Sequence, residues 1–280
     1  MPISSRRRCL PFSFVLVALL AGSVIHRTAR AEHDGKVQIL LLGDSTTIGS
    51  ICRKVEPAGP HLEEIVRLLL ATEPSLPATN VINQGRDGEF IQGLLAGGRY
   101  ERDIAKLPGI DYVFIRYGLN DQAKRENFAE NFPKDFRELI AKLRQDFPRA
   151  TLIPTTIIPY LSSERDAQIN QLIRQVAEQE KLQLFDVYTR YASELTHGQN
   201  MLNYRRYALD KIPEQHRQWV QPHVLSGSVV VMDNRLDAHF RELPGWFGDR
   251  HPSLAGYHVI GEETARFLAP LLRTRQQTPN

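Results

Sequence analysis

Val37-Gln38-Ile39-Leu40-Leu41-Leu42-Gly43-Asp44-Ser45-Thr46 is the stretch on which the fold turns. Val37 to Leu42 reads as a strand, and its near-continuous apolar character is that of a strand buried on both faces of a parallel sheet. Gly43 and Asp44 end it, and a serine follows at once. Apolar runs and helix-period stretches alternate from there on. Leu62, Ile65, Val66, Leu69 and Leu70 share one helical face. Residues 80–83 and 112–117 read as strands, the second rich in β-branched and aromatic side chains. Phe132, Phe136, Leu139, Ile140, Leu143 and Phe147 make a second helix stripe. Residues 151–158 read as the next strand, with Pro154 placing it near a sheet edge. Ile169, Leu172, Ile173 and Val176 mark a third helix, residues 182–187 a fifth strand, and Tyr257, Ile260, Thr264, Phe267, Leu268 and Leu271 the last helix.

This alternation predicts a three-layer α/β/α sandwich around a mainly parallel five-stranded sheet. In such sheets, ligands bind beyond the carboxyl ends of the strands. Ser45, Gly85 and Asn120 each follow a strand directly, so three chemically useful residues converge on one edge. A serine in that place can cap the next helix; it can also act as a nucleophile, given a base to take its proton. Of the nine histidines, only His251 is expected in a loop just before a helix, and Pro252 follows it.

The first 31 residues read as an export signal: Arg6, Arg7 and Arg8, then a mostly apolar run from Leu10 to Ile25, then Ala29-Arg30-Ala31. The rival is an uncleaved anchor, for which the run is short. The chain has 35 Lys+Arg against 32 Asp+Glu, but five arginines and no acid lie in the leader. Residues 32–280 therefore carry 30 basic and 32 acidic side chains, a net −2, and give no reason to expect nucleic acid or an anionic membrane surface as partner. Beyond the leader Cys52 stands alone, so no intrachain disulfide is expected, and a small buried residue is its reading. No motif suggests a metal or cofactor. Residues 196–246 break the α/β pattern and read as an insertion mixing Arg205, Arg206, Lys211, Arg217 and Arg235 with Tyr204, Tyr207, Trp219 and Trp246. It is either a folded surface addition or a wall of the substrate cleft.

Four segments in order, Gly43-Asp44-Ser45, Asn83-Gln84-Gly85, Gly118-Leu119-Asn120-Asp121 and Asp249-Arg250-His251-Pro252, resemble the SGNH (GDSL-type) serine hydrolase family over roughly residues 37–272. The resemblance implies an SGNH/flavodoxin-like domain over 32–280 with Ser45 as nucleophile and His251 as base. It implies an oxyanion hole of the Ser45 N–H, the Gly85 N–H and the Asn120 amide. The family's acid sits three residues before the histidine. Here that position is Gly248, and Asp249 lies two before. Residues two apart in an extended stretch face the same side, so Asp249 is the candidate. A Ser–His dyad oriented by a backbone carbonyl, or Asp233 or Asp237, remain open. Asp44 and Asp121 are expected to brace loops; Arg86 and Asp87 can touch substrate. The expected activity is an exported serine esterase acting on a small-molecule or glycan ester, such as an acetylated carbohydrate. The rivals are a lysophospholipase or lipase, an acyltransferase, and a non-catalytic glycan-binding domain of the same fold.

Overall fold

The computed structural model describes residues 35–232 and 235–277. The expected leader, residues 1–31, and the alternative acid Asp233 lie outside the described residues. Four strands, β1 (Val37–Gly43), β2 (Thr79–Gly85), β3 (Tyr112–Arg116) and β4 (Thr151–Pro154), form a parallel sheet in the order β2-β1-β3-β4. β1 is central and buried along its whole length. Its alternate side chains feed two cores. Ile39 and Leu41 pack with Leu62, Ile65 and Val66 of helix Leu62–Ala71 and with Ile260 and Leu268 of helix Leu254–Gln277. Leu40 and Leu42 pack with Phe132, Phe136 and Ile140 of helix Phe128–Asp146 and with Ile169 and Ile173 of helix Ser163–Gln179. Each such side chain contributes roughly 1.5–3 kcal/mol on full burial, so β1 anchors both layers.

The sheet has four strands, not the expected five. Residues 182–187 reduce to one parallel bridge, Thr155 to Phe185. Phe185 N–H donates to Pro154 O at 2.9 Å and Thr156 N–H to Phe185 O at 3.0 Å. The chain then leaves, because Asp186 caps helix Val187–Leu202 by accepting from Thr189 N–H at 3.2 Å. Pro154 does sit at the end of an edge strand.

Helix Val187–Leu202 runs into the segment read as insertion, so the departure from the α/β pattern begins after Leu202. There β5 (Arg205–Ala208), β6 (Val224–Leu225) and β7 (Ser228–Val231) form a small antiparallel sheet in the order β5-β7-β6. Tyr207, Ile212, Val220, Val229, Val231, Phe240 and Trp246 give it a core of its own. Asp237 lies beside that core. It accepts from Arg205 at 3.0 and 2.5 Å and from Trp246 Nε1 at 2.7 Å, and Arg205 is only 1% exposed. The start of the insertion is stitched to the histidine loop by an antiparallel bridge between Asn203 and Pro252 and by Tyr204 N–H donating to His251 O at 3.2 Å.

Candidate active site

β1 delivers the serine. Gly43 is needed at the strand end, since a Cβ there would lie 2.2 Å from Thr47 Oγ1 and 2.7 Å from Arg116 O. The cap of the following turn, Ser45–Ile48, is Asp44 and not Ser45: Asp44 Oδ1 accepts from Thr46 N–H at 2.8 Å and Thr46 Oγ1 at 2.7 Å. Asp44 is fully buried. Burial pushes its carboxyl up, against the pull of the Thr46 bonds and the nearby Arg116 charge. With Asp44 capping, the Ser45 hydroxyl is free to face His251.

The histidine loop arrives from the other side. His251 Nε2 lies 3.0 Å from Ser45 Oγ. Asp249 Oδ1 accepts from His251 Nδ1 at 2.7 Å and from His251 N–H at 2.9 Å. The second bond is the local aspartate turn in which a carboxylate binds the backbone two residues on, and it brings an acid at this spacing onto the ring. Arg206 Nε, from β5, is 2.8 Å from Asp249 Oδ2, so both carboxylate oxygens are engaged. The Asp249 side chain is 6% exposed. Burial acts to raise its carboxyl, yet the His251 hydrogen bonds and the His251 and Arg206 charges outweigh this and hold it below the usual range. A carboxylate on Nδ1 makes that nitrogen the N–H donor and leaves the Nε2 lone pair towards Ser45. The arrangement can accept a proton from the serine hydroxyl and stabilise the resulting imidazolium.

The donor residues lie at the adjacent strand ends. β1 Gly43 pairs with Gly85 of β2 on one side and with Arg116 of β3 on the other. The Ser45 N–H, first in its turn, has no acceptor among the described residues. Asn120, half-buried in helix Leu119–Lys124, makes no side-chain hydrogen bond among them. The Gly85 N–H does have an acceptor, Asn83 Oδ1 at 3.0 Å. Gly85 is also a close-packing position, where a Cβ would lie 2.5 Å from Ile48 N and 3.0 Å from Asp44 O. Asp121 is buried under this edge and accepts from Ile91 N–H at 2.9 Å and Gly118 N–H at 3.0 Å. Burial pushes its carboxyl up to about 7.

Two further side chains meet His251 that the motifs do not point to, and a third meets Asp249. Tyr160, in the loop after β4, has its hydroxyl 2.9 Å from His251 Nδ1 and 3.4 Å from Nε2, with the two rings edge-on at 5.1 Å. Tyr204 stacks on the imidazole at 5.8 Å and 23°, buried, its hydroxyl without a partner among the described residues. Arg206 is the third. The only sequence signal for the last two is their place in the aromatic and basic insertion. Asp237, the alternative acid, is committed to Arg205 and Trp246. Arg86 and Asp87 are exposed in the turn after β2. Cys52 is buried, donates to Pro252 O at 3.2 Å, and burial pushes its thiol up to about 12. Among the described residues no three His, Cys, Asp or Glu side chains gather as metal ligands, and no helix is long and apolar enough to cross a membrane.

Ser45, just beyond β1 of a parallel sheet flanked by helices, thus faces His251, whose other ring nitrogen meets Asp249, in an α/β domain. The model of the GDSL-like lipase/acylhydrolase family matches residues 41–204, and the chain belongs to that family. No curated protein matches it. Solved structures do. Axe2, an acetylxylan esterase from Geobacillus stearothermophilus, is 18% identical over 84% of this chain and 95% of its own, with a TM-score of 0.53. LAE5, described as an α/β hydrolase enzyme from the metagenome of Lake Arreo, is 22% identical over 83% and 94%, with a TM-score of 0.52. A lipase/acylhydrolase from Enterococcus faecalis is 18% identical over 84% and 97%, with a TM-score of 0.50. At these identities the likeness is one of fold.

Proposed function

We propose that the chain is an exported serine esterase that cleaves carboxylic esters through an acyl-enzyme, with a short acyl group on a carbohydrate as its substrate. The observation that carries the reading is the 3.0 Å approach of His251 Nε2 to Ser45 Oγ, with Asp249 on the other ring nitrogen. Ser45 Oγ attacks the ester carbonyl as its proton passes to Nε2. The Ser45 N–H and the Asn120 amide receive the oxyanion, and the Gly85 N–H joins them by exchanging Asn83 Oδ1 for it. Collapse releases the alcohol, and water attacks the acyl group with His251 again as base. Family membership supports ester hydrolysis. The carbohydrate reading draws support from the leader and from the insertion, whose Trp219 is 47% exposed between His216 and His239. Hydrolysis of 4-nitrophenyl acetate by the wild type and by Ser45→Ala is the test. A loss of about a thousandfold or more is expected from removing the nucleophile; equal rates reject the enzyme in favour of a binding domain. A 4-nitrophenyl series from acetate to decanoate then separates a short-acyl from a lipid substrate, and release of acetate from acetylated oligosaccharides tests the glycan.

A further inference from the structure

The start of the insertion runs antiparallel to the histidine loop in a single register. Ser253 N–H donates to Leu202 O at 2.7 Å, Asn203 bridges to Pro252, and Tyr204 N–H donates to His251 O at 3.2 Å. The same register sets Arg206 opposite Asp249, and their side chains meet at 2.8 Å. The second bond that such pairing offers His251, from its own N–H, goes instead to Asp249 Oδ1 at 2.9 Å. Side chains opposite each other across an antiparallel pair share a face, as do side chains two apart along a strand. Tyr204, Arg206, Asp249 and His251 therefore stand on one face. The Tyr204 ring lies along the imidazole, with centroids 5.8 Å apart and planes 23° apart. Tyr204 is 1% exposed, and its hydroxyl has no partner among the described residues. What this side chain brings to the site is its ring.

Building on the esterase reading, we infer that Tyr204 is a positioning residue, whose ring holds the His251 imidazole by its face and stabilises the imidazolium formed when Ser45 gives up its proton. That proton passes from Ser45 Oγ to Nε2 across 3.0 Å, and Asp249 holds the charged ring in its plane through Nδ1 at 2.7 Å. Tyr204 acts on the face, where no hydrogen bond can. An aromatic ring within about 6 Å of a cation attracts it, more strongly where water is excluded. The attraction exists only while the imidazole is charged, so it belongs to the transition state and not to substrate binding. A ring packed on its face also resists tilting away from Ser45, and a misplacement of about 1 Å is enough to cost a large part of the rate. Burial, and after it the Asp249 charge, push the Tyr204 phenol up, so the side chain stays neutral. The insertion thus supplies the strand on which the acid and the base are both seated.

The test is kcat and KM for 4-nitrophenyl acetate in Tyr204→Leu, Tyr204→Met and Tyr204→Phe, with the folded fraction of each sample read from its unfolding curve. Leucine and methionine keep an apolar side chain and remove the ring, so either one that folds serves. Their kcat per folded molecule is expected to fall about five- to thirtyfold, the worth of a buried cation facing an aromatic ring. KM should stay within about twofold, since His251 serves acylation and deacylation alike. Tyr204→Phe is expected to bring kcat back to within about twofold of the wild type, because the hydroxyl it deletes has no partner. Leucine and methionine variants that match the wild type per folded molecule overturn the proposal and leave Tyr204 a packing role. A phenylalanine variant as slow as they are overturns it in favour of the hydroxyl, and a raised KM with kcat unchanged overturns it by placing Tyr204 against the substrate. Failure of the esterase reading shows separately, as Ser45→Ala matching the wild type.

Discussion

An acid two residues before its histidine works here because one carboxylate oxygen serves both the ring and the backbone of His251, which leaves the other oxygen for Arg206. This divides the two residues' expected effects. Asp249→Asn removes the charge that faces the imidazolium and reverses the donor needed at Nδ1, so kcat should fall about a hundredfold or more with little change in KM. Arg206 is 46% exposed, so solvent screens its pairing with Asp249, and Arg206→Met should cost only about two- to fivefold in kcat. Arg206→Lys should restore most of that; no recovery with lysine would mean that the guanidinium matters by its shape. The meeting of Ser45 with His251 was legible because each sits in a short segment that resembles a family motif; that Asp249 is the acid on the ring was a candidate among several, because its spacing departs from that motif. Tyr160 and Tyr204, which meet His251, and Arg206, which meets Asp249, were not legible, because they arrive from a loop and an insertion whose distance along the chain carries no sign of contact.

At the scale of elements, the site depends on a strand end and a turn pressed together. Gly43 and Gly85 are paired across β1 and β2, and a Cβ on Gly85 would meet backbone at 2.5 Å, an atom that cannot step aside. Gly85→Ala should therefore push the Ser45 turn, costing about 1–3 kcal/mol of stability together with activity, as read by thermal unfolding and kcat/KM on the same preparation. Full stability with lost activity would instead make Gly85 a group that acts on the substrate alone. The sequence shows the four strands of the sheet, with the ends of β1 and β3 placed to within one residue; β2 runs over Thr79–Gly85 and not only 80–83, and β4 stops at Pro154 and not at 158, because the chain beyond keeps its apolar look after its strand pairing ends. The stretch at 182–187 has the same apolar look, and what overrides it is local: the Asp186 carboxylate caps a helix one residue after the single bridge. The helix Val187–Leu202 went unseen because its weakly apolar face merges with an insertion read only by composition.

Across the whole molecule, buried carboxylates divide the labour, and their titration separates fold from site. Asp237 is one half of a buried pair with Arg205. Asp237→Ala strands that guanidinium, which should cost about 3–5 kcal/mol while leaving kcat per folded molecule near wild type, the reverse of Asp249→Asn. Asp121 does something different. Its carboxylate accepts from the Ile91 and Gly118 N–H groups and not from a cation, and burial raises its carboxyl from 3.8 to about 7. A carboxyl raised on folding holds its proton longer in the native state than in the unfolded chain. Its contribution to stability is thus complete below about pH 4 and is lost as pH climbs through about 7. The shift of roughly three units corresponds to at most about 4 kcal/mol. Asn cannot titrate, so the stability difference between wild type and Asp121→Asn should drift against the wild type between pH 4 and pH 8, as measured by denaturant unfolding at each pH. A difference that stays flat across that window would mean that the charged form is held by Ile91 and Gly118 N–H as well as water would hold it. The loop that carries Asn120 would then be braced equally at either protonation state.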